Sequence, residues 1–188
     1  AGFSGKKMEE KLKIINVDIS TIDAILITHE HTDHILGAGI LSRKYNIPLY
    51  ITQESYGEGK EKLGKICESK LVFIENEFYI DQVRIIPFDV MHDAVRTIGF
   101  CIKNSKEKKL AIATDIGYAT NVVQEHFKGA DVVVIESNYD YHKLMQGPYP
   151  WHLKNRVKGK MGHLCNTKTS EFVKNIYSER LKKVYLTH

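Results

Sequence analysis

Three histidines and one aspartate lie within six consecutive positions, in the run Thr-His-Glu-His-Thr-Asp-His at residues 28–34. Neutral imidazole nitrogens and carboxylate oxygens are the usual protein ligands of zinc and related divalent ions. Histidine makes up only 9 of the 188 residues, so three of them in one short run seldom occur by chance. The run therefore predicts a metal site rather than a solvated polar turn, which is the alternative interpretation.

The spacing within this run bears on how many ions it can serve. His29 and His31 are two positions apart, so they point the same way in an extended or turn conformation. Asp33 and His34 follow where the next helix is expected to begin. Two ligands before the turn and two after it can serve two adjacent ions.

Short apolar runs rich in Ile, Val, Leu, Phe and Tyr recur along the chain, with the length and β-branched content of strands. The predicted strands are Ala24–Thr28, Pro48–Thr52, Leu71–Ile74, Val83–Phe88, Ile98–Lys103, Leu110–Thr114, Asp131–Ile135 and Lys183–Thr187. Apolar residues at helical spacing predict helices over Asp33–Tyr45, Thr120–Phe127 and Asn166–Tyr177, with Asn166 in the N-cap region of the last. The sequence therefore predicts a mixed α/β architecture with helices outside strand-rich sheets.

The segment from Glu136 to Met161 fits this pattern least well. It contains the stretch Gly-Pro-Tyr-Pro at residues 147–150 and the only tryptophan, Trp151. Glycine and proline interrupt helices, and long irregular segments inside compact domains are often functional. We therefore expect an irregular, function-bearing segment here.

A run of basic residues follows at alternate positions. Its members are Lys154, Arg156, Lys158 and Lys160. One interpretation is a strip that tracks phosphates beside an aromatic ring for base stacking. The other is a solvated face, which charge runs usually are, and this second interpretation is slightly favoured. Trp151 itself is expected to be a packing residue.

The composition restricts the class of protein. Hydrophobic residues make up 43% and charged residues 27%, which is ordinary for a globular chain, and 188 residues correspond to one domain over 1–188. No apolar run approaches the roughly 18 residues of a membrane span, so no membrane partner is expected. Three cysteines without a CxxC pair indicate a reducing, cytoplasmic compartment. The net charge of +4 is compatible with an anionic substrate.

The pattern His-x-His-x-Asp-His after a hydrophobic strand resembles the signature of the metallo-β-lactamase superfamily. A further histidine, an aspartate and a final histidine follow later strands in that family, and this chain has each of them in order. The matching positions are His29, His31, Asp33, His34, His92, Asp115 and His188. The resemblance implies an αββα sandwich, here without the N-terminal strands and the C-terminal end, so that residues 1–188 would form a partial domain.

The resemblance also divides these ligands between two divalent ions. The first ion would be held by His29, His31 and His92, the second by Asp33, His34 and His188, with Asp115 as a bridge. Zinc is the leading expectation, and manganese or iron are compatible with nitrogen-rich ligands. Glu30 and Thr32 lie between ligands and are expected to orient them.

Three further features resemble particular branches of the superfamily. His92 is followed at a distance by Gly-Phe, as in the phosphodiesterase and ribonuclease Z branches. Gly162-His163-Leu164 resembles an element of ribonuclease Z-like nucleases whose histidine is proposed to protonate the leaving oxygen. The run from Gly147 to Lys154 resembles the YycJ/VicX group of bacterial metal-dependent hydrolases linked to nucleic-acid processing.

These resemblances imply a di-metal-dependent phosphodiesterase, an exonuclease-like enzyme that cleaves DNA or RNA with a metal-bridged hydroxide. Asp33 and His163 are the catalytic candidates, His163 as the proton donor. Two alternatives stay open. One is a hydrolase of a small cyclic phosphodiester, lactone or thioester, and the other is a non-catalytic metal-binding regulatory protein. Structural zinc sites close every coordination position, whereas seven ligands for two ions leave a bridging position open, which favours catalysis.

Overall fold

The computed structural model describes all residues from Ala1 to His188, and their contacts form two compact units. Unit 1 comprises residues 1–76 and 94–96, and unit 2 comprises residues 77–93 and 97–188. The single domain expected over residues 1–188 stays a prediction. No helix has both the length and the apolar character needed to cross a membrane.

Unit 1 contains a three-stranded parallel sheet in the order β1-β2-β3. The strands are β1 (Ile25–Leu26), β2 (Leu49–Ile51) and β3 (Leu71–Phe73). The helices are α1 (Gly5–Ile14), α2 (Thr32–Ile35), α3 (Ala38–Tyr45) and α4 (Gln53–Leu63), with short 3₁₀ turns at Ile19–Thr21 and Glu68–Lys70.

The core of unit 1 holds the end of β1 in place. Ile27, Leu49 and Ile51 are almost completely buried and belong to one apolar core with Ile35 of α2 and Leu63 of α4. Burying one such aliphatic side chain contributes roughly 1.5–3 kcal/mol. Residues 28–34, which follow β1 directly, therefore start from a fixed point in the fold.

Unit 2 contains a six-stranded sheet in the order β4-β5-β6-β7-β8-β9. The strands are β4 (Phe78–Ile80), β5 (Val83–Val90), β6 (Thr97–Lys103), β7 (Lys109–Ala113), β8 (Val132–Glu136) and β9 (Lys183–Thr187). The helices are α5 (Asn121–Phe127), α6 (Tyr141–Gln146), α7 (Trp151–Lys158) and α8 (Asn166–Ile176).

The direction of these strands brings four chain segments to one edge of the sheet. Strands β7, β8 and β9 are parallel, and β5 runs the same way because β6 pairs antiparallel with both β5 and β7. The carboxyl ends of β5, β7, β8 and β9 therefore lie at the same edge. The residues that end or follow these strands include His92, Asp115, Glu136 and His188.

Three phenylalanine rings meet in the core of unit 2. Phe127 of α5 is fully buried, and its ring meets those of Phe88 and Phe172 edge to face, at centroid distances of 6.1 and 5.1 Å. On α8 the buried residues Thr169, Phe172 and Ile176 share one face at helical spacing. Removing a core ring of this kind typically costs about 3–5 kcal/mol, so this core fixes β5, α5 and α8 together.

The eight predicted strands are all present, with ends within two residues of the predicted ones, and the mixed α/β class is confirmed. The predicted helix over residues 33–45 is interrupted, because α2 ends at Ile35 and α3 starts at Ala38. A Cβ at Gly37, between them, would collide with the Phe3 carbonyl oxygen, so the chain passes too closely there for another side chain. Strand β4 and helices α1 and α4 were not predicted.

The expectation of an irregular segment over residues 136–161 is wrong. Glu136 ends β8, and helices α6 and α7 occupy much of the remainder, separated by residues 147–150. Pro150 is the N-cap of α7, a position before the helix where its missing N–H costs nothing. At the start of α8 the N-cap is Cys165, and Asn166 is the first helical residue.

The basic run forms neither a phosphate-tracking strip nor a uniformly solvated face, because its residues on and after α7 have different surroundings. Lys154 is buried and its Nζ donates to the Met145 carbonyl oxygen at 2.7 Å. Arg156 donates to the Asp93 carboxylate at 2.6 Å. Trp151 is 59% exposed, so the expectation that it is a packing residue is wrong.

Candidate metal centre

Residues 28–34 of unit 1 follow β1 and include the first residues of α2. We refer to this segment as the ligand turn. His31 is the N-cap residue of α2, and the helix starts at Thr32. Asp33 and His34 thus lie in the first turn of a helix, as the sequence predicted. His29 precedes the helix, and the backbone of His31 is extended.

Three imidazole rings crowd together in the ligand turn. The centroid of His29 lies 4.7 Å from that of His31 and 4.1 Å from that of His34, and His29 is fully buried. The Thr28 hydroxyl lies 3.0 Å from Nδ1 of His29 and 3.4 Å from Nδ1 of His34. Because the hydroxyl holds the two Nδ1 atoms, Nε2 is the nitrogen of each ring that suits a cation.

The acidic groups of the ligand turn differ in environment. The Asp33 side chain is 68% exposed and its Oδ2 lies 3.7 Å from Nε2 of His34. Glu30 is buried, and its Oε1 accepts a hydrogen bond from the Val95 N–H at 2.9 Å. Glu30 therefore anchors residues 94–96 of the same unit, whereas the Asp33 carboxylate is exposed beside the His34 ring.

The first residues of the chain pack against the ligand turn. The Gly37 N–H donates to the Ala1 carbonyl oxygen at 2.9 Å. A Cβ at Gly2 would collide with the Asp33 carbonyl oxygen, so only glycine allows this approach. The backbone of Asp33 is thereby supported from outside α2.

In unit 2, His92 follows β5 and is buried. Its Nδ1 lies 3.1 Å from the Gly162 carbonyl oxygen, which can only accept, so Nδ1 carries the proton. Its Nε2 lies 3.6 Å from Oδ1 of Asp115 and 3.3 Å from Oδ1 of Asp93. Burial lowers the pKa of His92 even though Asp115 and the Gly162 carbonyl act in the opposite direction. A neutral imidazole with Nε2 facing carboxylates is the form that binds metals.

Asp115 lies just beyond β7, is buried and has a φ of 57°. Residues other than glycine seldom adopt this left-handed conformation, and such strain often occurs at functional sites. Its Oδ1 lies 3.4 Å from Nε2 of His188 as well as 3.6 Å from Nε2 of His92. One carboxylate oxygen between two imidazole nitrogens is the arrangement expected of a bridging ligand.

Glu136, at the end of β8, is completely buried, and its carboxylate contacts five groups, the longest contact being with Asn138 Nδ2 at 3.4 Å. Its Oε1 lies 2.7 Å from Nδ1 of His163 and 2.8 Å from Nδ1 of His188. Its Oε2 accepts from the Ile116 N–H at 2.8 Å and the Leu164 N–H at 3.0 Å. Burial raises the pKa of Glu136, but the bonds from His163, His188 and Leu164 outweigh it and hold the pKa below its usual value. The group is therefore an ionised carboxylate with both oxygens engaged.

The consequence is a fixed orientation of two imidazoles. Since Nδ1 of each ring donates to Glu136, Nε2 of His188 is directed toward Asp115 and Nε2 of His163 is the nitrogen available for proton transfer. One potential donor atom from each of Asp115, Glu136, His163 and His188 lies within 4.8 Å of the others. Glu136 thus positions His163, His188 and the loop that carries Asp115.

Sequence reasoning missed Glu136 because it stood at the start of the segment taken as irregular. The available signal was a lone carboxylate directly after the apolar run Val132–Ile135, at the same kind of position as Asp115 after β7. Without a motif around it, such a residue is recognised only when the topology shows where the strand ends.

Two glycines place His163 on its loop. A Cβ at Gly162 would collide with the carbonyl oxygen of Arg156, and one at Gly117 would collide with that of Lys160. The His163 N–H donates to the Val157 carbonyl oxygen at 2.8 Å. The loop after α7 is therefore packed tightly against the end of that helix and against the loop after β7.

The candidate residues are thus gathered as one set in each unit. The ligand turn contains His29, His31, Asp33 and His34, and the edge of the unit 2 sheet contains His92, Asp115, His163 and His188. The donors that these residues offer are imidazole nitrogens and carboxylate oxygens. This donor chemistry fits divalent ions such as zinc.

Comparison with known proteins is consistent with this geometry. Residues 3–188 match the family described as "Beta-lactamase superfamily domain". The chain is 34% identical over 190 residues to exodeoxyribonuclease YycJ of Bacillus anthracis, covering 100% of this chain and 72% of that protein. It is 37% identical over 192 residues to exodeoxyribonuclease WalJ of Streptococcus pneumoniae serotype 2, covering 100% and 71%. The crystal structure of human tRNase Z, short form (ELAC1), has a TM-score of 0.70 at 18% identity, covering 98% of this chain and 79% of that one. This structural likeness confirms the fold class that the sequence resemblance implied.

Proposed function

We propose that this chain, which belongs to the beta-lactamase superfamily of metal-dependent hydrolases, is an exonuclease that cleaves phosphodiester bonds of DNA. The observation that carries this proposal is the Glu136 carboxylate, which orients one imidazole toward Asp115 and a second, His163, as a proton donor. The curated relatives named as exodeoxyribonucleases favour DNA as the substrate.

The metal-binding role of the ligand sets is part of the proposal. The residues that would hold two divalent ions are His29, His31, Asp33 and His34 in unit 1 and His92, Asp115 and His188 in unit 2. Their nitrogen-rich chemistry favours zinc and permits manganese or iron. When bound, such ions lower the pKa of a water molecule and neutralise charge on phosphate oxygens.

The protein's own contribution to the leaving group comes from His163. The ionised Glu136 carboxylate accepts from Nδ1 and stabilises the imidazolium form, which carries a second proton on Nε2. A water molecule that has lost a proton to solvent forms the new bond to phosphorus. The P–O bond to the sugar breaks, and its electron pair goes to the departing sugar oxygen. That oxygen takes the Nε2 proton and leaves as a hydroxyl group, and His163 becomes neutral.

The position of His163 also argues against a metal site that serves stability alone. His163 is not one of the seven expected ligands, yet Glu136 fixes it and its side chain remains partly accessible, at 16%. A structural site has no need for an oriented proton donor beside the ligands. The arrangement therefore favours catalysis over the regulatory alternative.

The test uses end-labelled single-stranded DNA, duplex DNA and RNA with zinc or manganese added. We expect metal-dependent shortening of DNA from one end. Asp33→Ala should lose this activity, and Asp23→Ala, which changes an exposed aspartate of the same unit outside the candidate ligands, should keep it. Binding of metal without cleavage of any polymer would contradict the proposal, and cleavage of RNA alone would contradict its substrate.

A further inference from the structure

Unit 2 contains a cavity of about 420 Å³ with His163 in its wall. We propose that this cavity binds one nucleotide of the DNA strand, next to the bond that is cleaved. The inference rests on the proposed function and adds to it the residues that recognise the substrate. The volume lies within the range of roughly 300–1,000 Å³ that small-molecule sites occupy.

Four segments of unit 2 enclose the cavity. They are the loop after β7 at Tyr118, the loop after β8 at Tyr139, the end of α7 at Lys158, and α8 at Phe172. The same tight contacts of Gly117 and Gly162 that place His163 also fix two of these walls relative to one another. The cavity is therefore built into the packed part of the unit.

Three tyrosine rings line this cavity, at positions 118, 139 and 141. Tyr118 is 53% exposed and Tyr141 is 45% exposed, so their rings remain accessible to a ligand at the mouth. Each base of DNA has a flat π-face that stacks on such rings, whatever the base identity. Aromatic side chains at the mouth are thus suited to a base and tolerant of sequence, as an exonuclease requires.

The charge of the lining suits a phosphate. Lys158, Lys160 and Lys168 line the cavity together with one carboxylate, Glu171. Lys168 Nζ lies 3.3 Å from Glu171 Oε2, so these two charges offset each other. The positive charge that remains on the lining comes from Lys158, whose Nζ lies 4.8 Å from the centroid of the Trp151 ring, and from Lys160. Part of the basic run in the sequence therefore acquires a role through the cavity and not as a surface strip.

The position of His163 connects the cavity to the reaction. Its Nδ1 is held by Glu136 and the same residue forms part of the cavity wall. A nucleotide with its base against the tyrosines and its phosphate near the lysines would place a bonded sugar oxygen on the side of His163. The cavity thus combines an aromatic surface, a cationic surface and the proposed proton donor.

The experiment measures binding separately from cleavage. Isothermal titration calorimetry of the metal-free full chain should show binding of both the oligonucleotide (dT)4 and dTMP. We expect (dT)4 to bind more tightly than dTMP. Tyr141→Ala, Tyr118→Ala and Lys160→Ala should each weaken binding of (dT)4 about tenfold, because loss of a stacking ring or a phosphate contact has effects of this order. Lys160→Ala should also reduce the slope of log K against log salt concentration by about 0.7.

The matched controls are Tyr149→Ala and Lys143→Ala, which change an exposed tyrosine and an exposed lysine that do not line the cavity. They should bind (dT)4 like the wild-type chain. Equal affinity in the cavity variants and the controls, or binding of dTMP without binding of (dT)4, would overturn the inference.

The two claims can fail independently. DNA cleavage by the wild-type chain with unchanged KM in all three cavity variants would leave the proposed function standing and overturn the cavity's role. Binding of (dT)4 that depends on Tyr141 and Lys160, without cleavage of DNA under any metal, would support the cavity and overturn the nuclease.

Discussion

The two candidate ligand sets are built in contrasting ways. In unit 1 every candidate lies in one turn between His29 and His34, and their rings meet because they are neighbours in sequence. In unit 2 the candidate ligands come from the ends of β5, β7 and β9, and the proposed proton donor His163 comes from a separate loop. A compact turn needs little support beyond its own backbone, whereas a dispersed set needs a group that joins its segments.

Glu136 is the joining group of unit 2, whereas the group that contacts two imidazoles of the ligand turn is a neutral hydroxyl. Glu136 is ionised and binds the segments that carry Asp115, His163 and His188. In the ligand turn, the neutral hydroxyl of Thr28 contacts two imidazoles at 3.0 and 3.4 Å. Charge-assisted hydrogen bonds are roughly twice as strong as neutral ones, so the two supports should differ in importance.

The largest expected effect follows from this difference. Glu136→Gln should lower nuclease activity or metal affinity about 10- to 100-fold, the range typical of groups that orient metal ligands. Thr28→Val, its counterpart in unit 1, should lower them less than about tenfold, because it removes only neutral contacts. Zinc affinity measured by competition with a chelator, together with DNA cleavage rates, would compare the two. Equal losses of zinc affinity and cleavage rate in the two variants would contradict the expected difference between Glu136 and Thr28.

A second comparison concerns the space around one glycine in each unit, Gly162 in unit 2 and Gly57 in unit 1. Gly162→Ala should destabilise the chain by about 1–3 kcal/mol, since the added methyl group collides with the carbonyl oxygens of Arg156 and Val157. Gly57→Ala on α4 meets no atom within 4 Å and should stabilise it by up to about 1 kcal/mol. Unfolding in urea would measure both. A Gly162→Ala chain as stable as the wild type would show that the His163 loop can relax.

The smallest expected effect concerns two aspartates away from the ligands. Asp131 accepts from the Lys109 N–H at 2.8 Å and from the side chains of Lys108 and Arg180, and these contacts, the backbone bond foremost, lower its pKa to about 2. A lowered pKa means that Asp131 contributes stability above its unfolded value near 3.8, and that this contribution is lost as the pH falls toward 2.

Asp131→Asn should therefore lower the Tm at pH 7, and the difference from the wild type should shrink between about pH 4 and pH 2. Asp18 in unit 1 also has a lowered pKa, but through Ser20, only two residues away. Asp18→Asn should change the Tm less, because a local contact persists in part when the chain unfolds. Thermal unfolding followed across pH would test the pair, and the same change in both variants would contradict this reasoning.

The contrast between the units also explains what the sequence could and could not predict. The ligand turn could be predicted because its histidines and its aspartate lie within one short stretch of sequence. His92, Asp115 and His188 were readable because each follows an apolar run and matches a family pattern. The role of Glu136 could not be predicted from the sequence, because it depends on four contacts with segments that lie far apart in the chain.

The fold shows the same division. Apolar runs with β-branched residues predicted eight of the nine strands, and β4 was the strand that they missed. Helices α6 and α7 were missed because the Gly-Pro-Tyr-Pro stretch between them dominated the local pattern. The cavity beside His163 could not be read at all, since its tyrosines and lysines converge only through the topology of unit 2.

The central expectation is that the ligand turn of unit 1 and the candidate ligands at the edge of the unit 2 sheet both bind divalent ions. Metal content per chain, measured by mass spectrometry after dialysis against zinc, tests it most directly. The account predicts two ions in the wild-type chain, one fewer in His31→Ala and in His188→Ala, and loss of both in Asp115→Ala. A single ion in the wild type that survives Asp115→Ala would contradict it.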